Sequence, residues 1–490
     1  MKAIIVSPHD DVAVALQDLA AGELVDVGGD TVRLVTAVPA GHKVALRDKP
    51  AGADVLKYGC PIGRATADIP RGAWVHTHNL ATALASHLDY RYGGAAAPLP
   101  APGPGRSTFA GFRRADGGVG VRNDLYIVPT VGCINGMVDR MARQFWQGDG
   151  PFDSVIVARH PYGCSQLGGD LRATQQILRG LIRHPNAGGV LVVGLGCENN
   201  QIDQLREAGF DDQRVKFLVA QEVDDEYAAA AALLDELREA ASADVRVEVP
   251  VSALRVGLKC GGSDGFSGIT ANPLVGAFAD ELVARGGSAV LTEVPEMFGA
   301  EQLLMERARD ERVFTQIVEL INGFKDYFTR HGSPISENPS PGNKQGGITT
   351  LEEKSLGCTQ KSGTSPVVDV VGYGQRLRRP GLSLLQAPGN DLVSSTALGC
   401  AGCQIVLFTT GRGTPFGTFV PTVKISSNTA LARRKPSWID FDAGVVLDEP
   451  REQVVSRFTD LVLDIASGQP TRNELGGMSG IAIWKDGVTE

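Results

Sequence analysis

Short apolar segments separated by Gly, Pro and Asp characterise the first 92 residues of the chain. Examples are "AIIVS" (3–7), "TVRLVTAVPAGH" (31–42) and "GAWVHTHN" (72–79). Valine-rich runs of this length, bounded by turn-forming residues, are typical of β-strands. Only "DDVAVALQDLAAG" (10–22) has the apolar spacing expected for a helix. We therefore predict a small all-β domain over residues 1–92.

The segment "GGAAAPLPAPGPGRS" (93–107) interrupts this pattern. It consists almost entirely of Gly, Ala and Pro, and such a composition cannot bury enough apolar surface to form a core. The sequence therefore predicts a flexible linker over residues 93–107, with the small domain mobile relative to the rest of the chain.

Longer apolar runs alternate with amphipathic helical segments from residue 108 to the C-terminus. The strand-like "DLYIVPTVGC" (124–133) precedes the helix-like "INGMVDRMARQFW" (134–146), and the alternation continues to the closing helix predicted at 451–468. This order is typical of βαβ units with mainly parallel sheets. We predict an α/β fold with two such domains, 108–248 and 249–490. The polar segment 333–363 is expected to be a long functional loop.

Composition excludes several classes of function. Hydrophobic residues make up 43% of the chain and charged residues 21%, as in ordinary folded proteins, and the net charge is -9. Because no Lys/Arg cluster stands out, we expect no nucleic-acid partner. No apolar run reaches the roughly 18 residues of a membrane span, and no signal peptide is visible. The sequence therefore predicts a cytoplasmic protein without a membrane partner, whose eight cysteines are not a disulfide scaffold.

Chemically reactive side chains follow the predicted strands. Ligands in open parallel sheets bind outside the carboxyl ends of the strands, so this placement indicates an enzyme site. A lone cysteine at a strand end is more often a small buried residue, and the "CAGC" pair Cys400 and Cys403 is expected in the core. The reactive residues at strand ends are Cys133, His160, Tyr162, Cys164, Cys197, Glu198, Cys260, Glu293 and Glu296.

His76 and His78 stand one residue apart in "VHTHN" (75–79). If this segment is a strand, alternate side chains share a face and the two imidazoles project together. Such a pair could bind a metal ion, transfer protons or lie on an exposed edge, and chemistry alone does not separate these alternatives.

Several long motifs resemble the altronate/galactarate dehydratase family. They include "GFRRADGGVGVRNDLYIVPTVGCINGM" (111–137), "KCGGSDGFSGITANP" (259–273) and "ENPSPGNKQGGITTLEEKSLGCTQKSG" (337–363). The segments "GHKVAL" (41–46), "KYGCPIG" (57–63) and "VHTHN" resemble the small SAF-type β domain of that family. The resemblance covers essentially the whole chain. The length of the chain and its N-terminal sequence favour the altronate branch of the family.

The resemblance implies a hydro-lyase that converts D-altronate to 2-dehydro-3-deoxy-D-gluconate and water. Galactarate, or another aldonate or aldarate, is the alternative substrate. It also implies a divalent metal cofactor, Fe²⁺ or else Mn²⁺, acting as a Lewis acid while a base and an acid move protons. We expect His76 and His78 to be two metal ligands, or one ligand and one proton shuttle. The remaining candidates are His160 and Tyr162 for acid–base catalysis, and Arg122, Asn123 and Lys361 for substrate binding.

The sequence also allows two rival hypotheses. One is an iron–sulfur dehydratase whose cluster is held by Cys133, Cys164, Cys197 or Cys260. The other is a sugar-acid-binding protein that has the fold without turnover. The partner in every case is a small sugar acid, and a homodimer is one candidate oligomeric state.

Overall fold

The structure is a computed structural model of the 490-residue chain. It describes residues 1–84, 88–94, 96, 99, 101–146, 148, 150–206 and 210–489. Among these residues, no helix is both long and apolar enough to cross a membrane. All eight cysteines are free thiols.

The N-terminal domain is all-β, as predicted. It contains three small sheets with strand orders β1-β2-β5-β8, β3-β4 and β6-β7-β9. Residues 10–22, which have helical periodicity, instead contain strand β2, so that prediction is wrong. The side chains of β2 are all buried between neighbouring strands, which satisfies its apolar residues without a helix. The strands are β1 Ala3–Ile4, β2 Val12–Ala15, β3 Leu24–Val27, β4 Asp30–Arg33, β5 Lys43–Ala45, β6 Asp54–Lys57, β7 Cys60–Ala65, β8 Trp74–Val75 and β9 Leu80–Ala81.

The second domain contains a four-stranded parallel sheet of order β13-β12-β14-β15. Every residue of its central strands β12 and β14 is buried, because helices cover both faces. The strands are β12 Asp124–Pro129, β13 Val155–Val157, β14 Ala187–Gly194 and β15 Val215–Val219, and the helices are α1 Asn135–Phe145, α2 Gly168–Ile182, α3 Ile202–Leu205 and α4 Glu226–Ala241.

A small antiparallel sheet of order β11-β10-β16 joins the start and the end of the second domain. Its strands are β10 Thr108–Arg113, β11 Val119–Gly120 and β16 Arg246–Pro250.

The third domain is built on a seven-stranded parallel sheet of order β19-β20-β18-β17-β21-β22-β23. Together with the second domain, it confirms the predicted α/β fold with mainly parallel sheets. The strands are β17 Arg255–Cys260, β18 Ser288–Leu291, β19 Val367–Val371, β20 Gly381–Leu385, β21 Ile405–Thr410, β22 Thr422–Ser426 and β23 Phe441–Asp442. The helices are α5 Ala271–Ala284, α6 Glu301–Met305, α7 Glu311–Arg330, α8 Pro341–Gln345, α9 Leu351–Cys358, α10 Asp391–Cys400, α11 Thr429–Arg434, α12 Arg451–Ala466 and α13 Arg472–Leu475.

The segment 333–363, expected to be one long loop, is largely helical. It holds α8, α9 and a 3₁₀ helix at Thr359–Ser362. Ser340 and Asn343 form a capping box at the start of α8, and the Thr350 side chain caps α9. All eight residues of α9 are buried although half of them are polar or charged, because the N-terminal domain and the rest of the third domain cover the helix and pair its charges.

The described part of the predicted linker contacts the third domain. Gly103 bonds to Glu281 and Arg285 of α5 and its C-cap, and Arg106 pairs with Asp464 of α12. Residues 95, 97, 98 and 100 lie outside the described residues. The mobility of the linker stays a prediction.

Candidate active site

Helix α9 of the third domain lies at the interface with the N-terminal domain. Its Glu353 carboxylate accepts hydrogen bonds from Lys43 (2.8 Å) and Lys57 (2.9 Å), which come from β5 and β6. All three side chains are almost completely buried. Lys43 also donates to Gly347 O (2.7 Å) and Thr349 Oγ1 (2.8 Å), so its ammonium has three acceptors. The N-terminal domain is thus docked by buried ion pairs.

The electrostatics of this ion-pair cluster follow from its burial. Although burial opposes ionisation, the two lysines lower the pKa of Glu353 to about 2. Burial lowers the pKa of Lys43 to about 8, close to physiological pH. Three acceptors around Lys43 keep it protonated there.

His76 lies beside this ion-pair cluster, in the turn that follows β8. Its Nδ1 is 3.0 Å from Thr349 Oγ1, the same hydroxyl that accepts from Lys43. The ring stacks on Trp74 with centroids 5.4 Å apart and an interplanar angle of 12°. Burial, followed by the charge of Lys43, lowers the pKa of His76 to about 4, so the imidazole is neutral at pH 7.

His78 does not share a strand face with His76, because β8 ends at Val75. That expectation is wrong: the two residues belong to a turn, in which His76 is buried and His78 is exposed. Both rings nevertheless contact Trp74, His78 at a centroid distance of 5.2 Å. The turn, rather than a strand, brings the two imidazoles to one indole ring.

His42 is a third imidazole in the same place. Trp74 Nε1 donates to its Nδ1 (3.1 Å), so its Nε2 carries the hydrogen and faces Gln345 O at 3.3 Å. Both nitrogens therefore have protein partners. His42 serves to fix Trp74 rather than to bind a ligand.

A second cluster lies at the carboxyl end of β17, behind α9. Cys260 and Cys358 approach to 3.4 Å between sulfurs, and both sulfurs are 3.2 Å from Glu296 Oε2. Lys361 Nζ is 2.8 Å from the Cys260 sulfur. The hydrogen bond from Cys358, with the charges of nearby lysines, lowers the pKa of Cys260 to about 6 despite burial. Cys260 is therefore a thiolate at neutral pH.

Further charged side chains complete this thiolate cluster. Lys259 pairs with Glu293 and, at 2.8 Å, with Asp391, while Lys354 of α9 pairs with Glu296 at 2.8 Å. Burial opposes the charge of Lys354, but Glu296 raises its pKa above the usual value. Three lysines thus balance the carboxylates and the thiolate inside the protein.

A narrow cleft runs between the two clusters, along α9. Lys57 and Glu353 line it from one cluster, and Lys354 and Cys358 from the other. Asp264, from the Gly-rich turn after β17, faces the same cleft. The cleft has a volume of about 10 Å³ in this structure, room for about one water molecule. An anionic small molecule would therefore reach these cationic side chains only if the two domains moved apart.

The fit of a divalent ion can be judged from the donors present. Cys260, Glu296 and Cys358 place ligating atoms within 4.8 Å of one another, the one such group of three among the described residues. Lys361 and Lys354, however, already neutralise that thiolate and that carboxylate. The imidazole of His76 is neutral, the form that binds divalent metals, and the imidazole of His78 is exposed to solvent. The turn that carries His76 and His78, called the histidine turn below, therefore fits a divalent ion better than the thiolate cluster does.

His160 and Tyr162 lie elsewhere, after β13 in the second domain. Tyr162 N donates to His160 Nδ1 (3.2 Å), and His160 Nε2 lies 2.9 Å from Pro129 O. Both nitrogens are thus held by backbone groups, and burial lowers the pKa of His160. The structure assigns His160 to positioning this loop rather than to acid–base catalysis. Tyr162 is half-buried in the same loop, and no described contact connects it to His76.

Arg122 and Asn123 precede β12, at the edge of the sheet opposite to its carboxyl end. Arg122 pairs with Glu474 and donates to the carbonyls of Val121, Ile465 and Gln469. Asn123 is fully buried and donates to Pro151 O. The contacts of Arg122 join the second and third domains, and that of Asn123 lies within the second domain. The substrate-binding role of both residues stays a prediction. Lys361, by contrast, is in the thiolate cluster.

Sequence reasoning missed five central residues: Lys43, Lys57, Glu353, Lys354 and Cys358. The signals were present in "GHKVAL" and "LEEKSLGC" (351–358), where charged residues lie inside otherwise apolar or helical segments. A buried charge requires a partner from another element, and the partner is not visible along the sequence.

Three family profiles match consecutive parts of the chain. They are the SAF domain of altronate/galactarate dehydratase (1–83), the second domain of D-galactarate dehydratase/altronate hydrolase (111–242), and the C-terminal domain of D-galactarate/altronate dehydratase (251–489). The chain is 54% identical to the altronate dehydratase of Bacillus subtilis (strain 168), with both chains covered completely. The chain belongs to the altronate/galactarate dehydratase family. It is therefore a hydro-lyase.

Two relatives from Escherichia coli differ from each other in name. The chain is 52% identical to the altronate dehydratase of Escherichia coli (strain K12), again over the full length of both chains. It is 36% identical to the galactarate dehydratase (L-threo-forming) of the same organism, over 94% of this chain and 92% of the relative. Both altronate dehydratases are thus more similar to the chain than this galactarate dehydratase is.

Proposed function

We propose that this hydro-lyase dehydrates D-altronate to 2-dehydro-3-deoxy-D-gluconate in the cleft between its first and third domains. The observation that carries the proposal is the set of buried lysines around that cleft, with neutral His76 beside it. Full-length identities of 54% and 52% to two altronate dehydratases support altronate as the substrate. Galactarate is the second candidate, supported by the more distant relative.

The difficult step is removal of the proton from carbon 2, because the enolate next to a carboxylate carries a second negative charge. Lys43 and Lys57 share the single negative charge of Glu353, and their surplus positive charge offsets that of the enolate. Neutral His76 accepts the proton at Nε2, while its Nδ1 is held by Thr349. Lys43 disfavours the resulting imidazolium, which returns the proton to the departing hydroxyl on carbon 3. The enol product then ketonises.

A divalent ion, Fe²⁺ with Mn²⁺ as a substitute, belongs to the same proposal. Bound in the histidine turn, it would act as a Lewis acid toward the substrate carboxylate and the carbon-2 hydroxyl. We assign His78 as its ligand because that imidazole is exposed. His76 is the proton carrier because Thr349 holds its ring.

A cytoplasmic location and a homodimer also belong to the proposal. Eight free thiols suit a reducing compartment. Light scattering on the purified protein measures the oligomeric state directly.

The test is a panel of aldonates and aldarates incubated with the enzyme and Fe²⁺ under reducing conditions, with 2-keto acid measured as the semicarbazone. D-Altronate should be converted fastest, EDTA should abolish turnover, and Fe²⁺ or Mn²⁺ should restore it. Faster conversion of galactarate would transfer the assignment to that substrate. Binding of D-altronate without any keto acid would make this a binding protein, and full activity after EDTA would exclude the metal.

A further inference from the structure

Three cysteines follow three neighbouring strands of the second-domain sheet. Cys133 comes after the central strand β12, while Cys164 and Cys197 come after β13 and β14, which pair with β12 on either side. All three strands are parallel, and neighbouring strands are about 4.8 Å apart. The loops that carry the three thiols therefore emerge side by side at one edge.

Backbone contacts hold these loops together. Gly132 N donates to Tyr162 O (2.8 Å), and Asn200 N donates to Gly163 O (3.0 Å). The Asn200 side chain also donates to Thr130 O (2.9 Å). Each of the three loops is thus bonded to at least one of the others.

Glycine permits the close approach of two of these loops. Gly163, with a φ of 104°, would place a Cβ atom 2.1 Å from Thr130 O. At Gly132 a Cβ atom would lie 2.8 Å from His160 O. A side chain at either position would push apart the loops that carry Cys133 and Cys164.

Packing does not explain these cysteines. Free cysteine is among the most buried residue types, and Cys260, Cys358, Cys400 and Cys403 follow that rule. Cys133, Cys164 and Cys197, by contrast, are all exposed. Thiols that are gathered at one edge and kept at the surface are typical of ligands rather than of core residues.

Unpaired polar atoms in the same loops point to a missing ligand. Buried Gln166 Nε2 has no acceptor, and buried Asn135 Oδ1 and Asn200 Oδ1 have no donor. Gln166 and Asn200 are 2% and 0% exposed. Each Cys-bearing loop thus contains one such atom within three residues of its cysteine. Buried polar groups normally have partners, so a bound group with its waters would complete this edge.

The local charge favours an anionic group. Helix α1 begins at Asn135, two residues after Cys133, and α2 begins at Gly168, four residues after Cys164. The N-terminal ends of both helices therefore lie near the thiols, and they stabilise negative charge.

The three sulfurs are not all as close to one another in this structure as ligands of a single ion would be. One ion with metal–sulfur bonds of about 2.3 Å holds two thiolates at most about 4.6 Å apart. Among the described residues, the group of three ligating atoms within 4.8 Å is Cys260, Glu296 and Cys358, and the three exposed cysteines do not form another. A polynuclear group binds thiolates that lie further apart than the ligands of one ion do.

We propose that Cys133, Cys164 and Cys197 hold an iron–sulfur cluster of the [4Fe–4S] type. Each thiol loses its proton as its Fe–S bond forms, and two ferrous ions, two ferric ions and four sulfides make the [4Fe–4S]²⁺ core without net oxidation or reduction. Three protein ligands leave the fourth iron open to an oxygen ligand, such as water or the hydroxyl of a hydroxy acid. Cys260 is not a ligand, because it belongs to the thiolate cluster of the third domain.

The test is anaerobic reconstitution of the full chain with equal amounts of Fe²⁺ and Fe³⁺, sodium sulfide and dithiothreitol, followed by desalting. We expect about four acid-labile sulfides per chain, about four irons in addition to any ion in the histidine turn, a broad absorbance near about 400 nm, and an electron paramagnetic resonance signal after reduction by dithionite. Cys133→Ser, Cys164→Ser and Cys197→Ser should each lose most of the sulfide and the signal. Cys60→Ser, a half-buried thiol in the N-terminal domain, is the matched control and should retain both.

Three results would overturn the proposal: no sulfide in the reconstituted wild type, one iron per chain without sulfide, or equal losses in the Cys60→Ser control. Circular dichroism of the metal-free variants separates loss of ligation from loss of fold. Because iron and sulfide are measured directly, the result does not depend on which sugar acid is the substrate.

Discussion

At the scale of single residues, the environment of His76 determines what its imidazole can do. Burial and the charge of Lys43 hold its pKa near 4, so the ring is a neutral acceptor at physiological pH. Thr349 fixes its orientation through Nδ1. His78, two residues further on in the same turn, is exposed and contacts the same indole ring.

Substitution of the two histidines separates proton transfer from metal binding. We expect His76→Ala to keep the bound ion and to lower turnover by about 100-fold or more, as for loss of a general base. His78→Ala should lose the ion, measured by atomic absorption on the purified variants. If both histidines are ligands, each single variant loses the ion, and the turnover of the double variant is little lower than that of either single variant. Losses under about threefold in all three variants would remove both residues from the site.

The low pKa of Cys260 depends first on its neighbour Cys358. Cys358→Ala removes that hydrogen bond, so the pKa of Cys260 should rise from about 6 toward the ordinary value of about 8.5. The ultraviolet absorbance of the thiolate, followed as a function of pH, measures this change, and the transition should be missing in Cys260→Ser. Cys403→Ala, in the core, is the control that should leave the transition unchanged. An unchanged midpoint in Cys358→Ala would contradict the contact.

At the scale of elements, α9 carries charges that serve two domains. Glu353 binds the lysines of the N-terminal domain, while the next residue, Lys354, binds Glu296 of the thiolate cluster. Successive residues of a helix point about 100° apart, so one turn can face both clusters. The helix is stable in a buried position because each of these charges has a partner.

Removal of one of these charges should loosen the docking of the N-terminal domain. Glu353→Gln leaves two buried lysines without a counter-ion, and breaking such a group costs about 3–5 kcal/mol. Native-state hydrogen exchange of the β5 amides measures the free energy of local opening. Asp54→Asn, which breaks the exposed pair with Arg64, is the control and should cost less than about 1 kcal/mol. Equal effects of the two changes would contradict the role of Glu353.

Elements with a clear period were predictable from the sequence, and those that depend on other domains were not. The strands β12, β14 and β17 and the helices α1, α2, α4 and α12 lie where the apolar pattern places them. Helix α9 was missed because its residues are buried by partners rather than by apolar character. The strand-end cysteines were visible in the sequence, but their division into exposed and buried sets required the fold.

At the scale of the whole molecule, the candidate site exists only where the N-terminal domain meets the third domain. His76 and Lys57 come from the N-terminal domain, and Glu353 and Lys354 come from the third domain. The covalent connection between them passes through residues 93–107, of which Gly103 and Arg106 contact the third domain.

Limited proteolysis tests the predicted linker. We expect the first cut within residues 93–107, because Gly, Ala and Pro form no core there. Mass spectrometry of the earliest fragments identifies the site. Protection of this segment, together with early cuts within 251–330, would show that it is not the most accessible part of the chain.

The stacking of Trp74 on His76 gives the site an optical signal of its own. The indole contacts three imidazoles at centroid distances of 5.2–5.4 Å, and Nε1 is bonded to one of them. Tryptophan fluorescence is quenched when a neighbouring imidazole gains a proton, so the emission should decrease as the pH falls through about 4, where His76 titrates. His76→Ala should remove the decrease near pH 4 although His42 and His78 remain, and Trp74→Phe should abolish it while the other three tryptophans remain. The protein thus carries an intrinsic fluorophore that reports when His76 changes its protonation state.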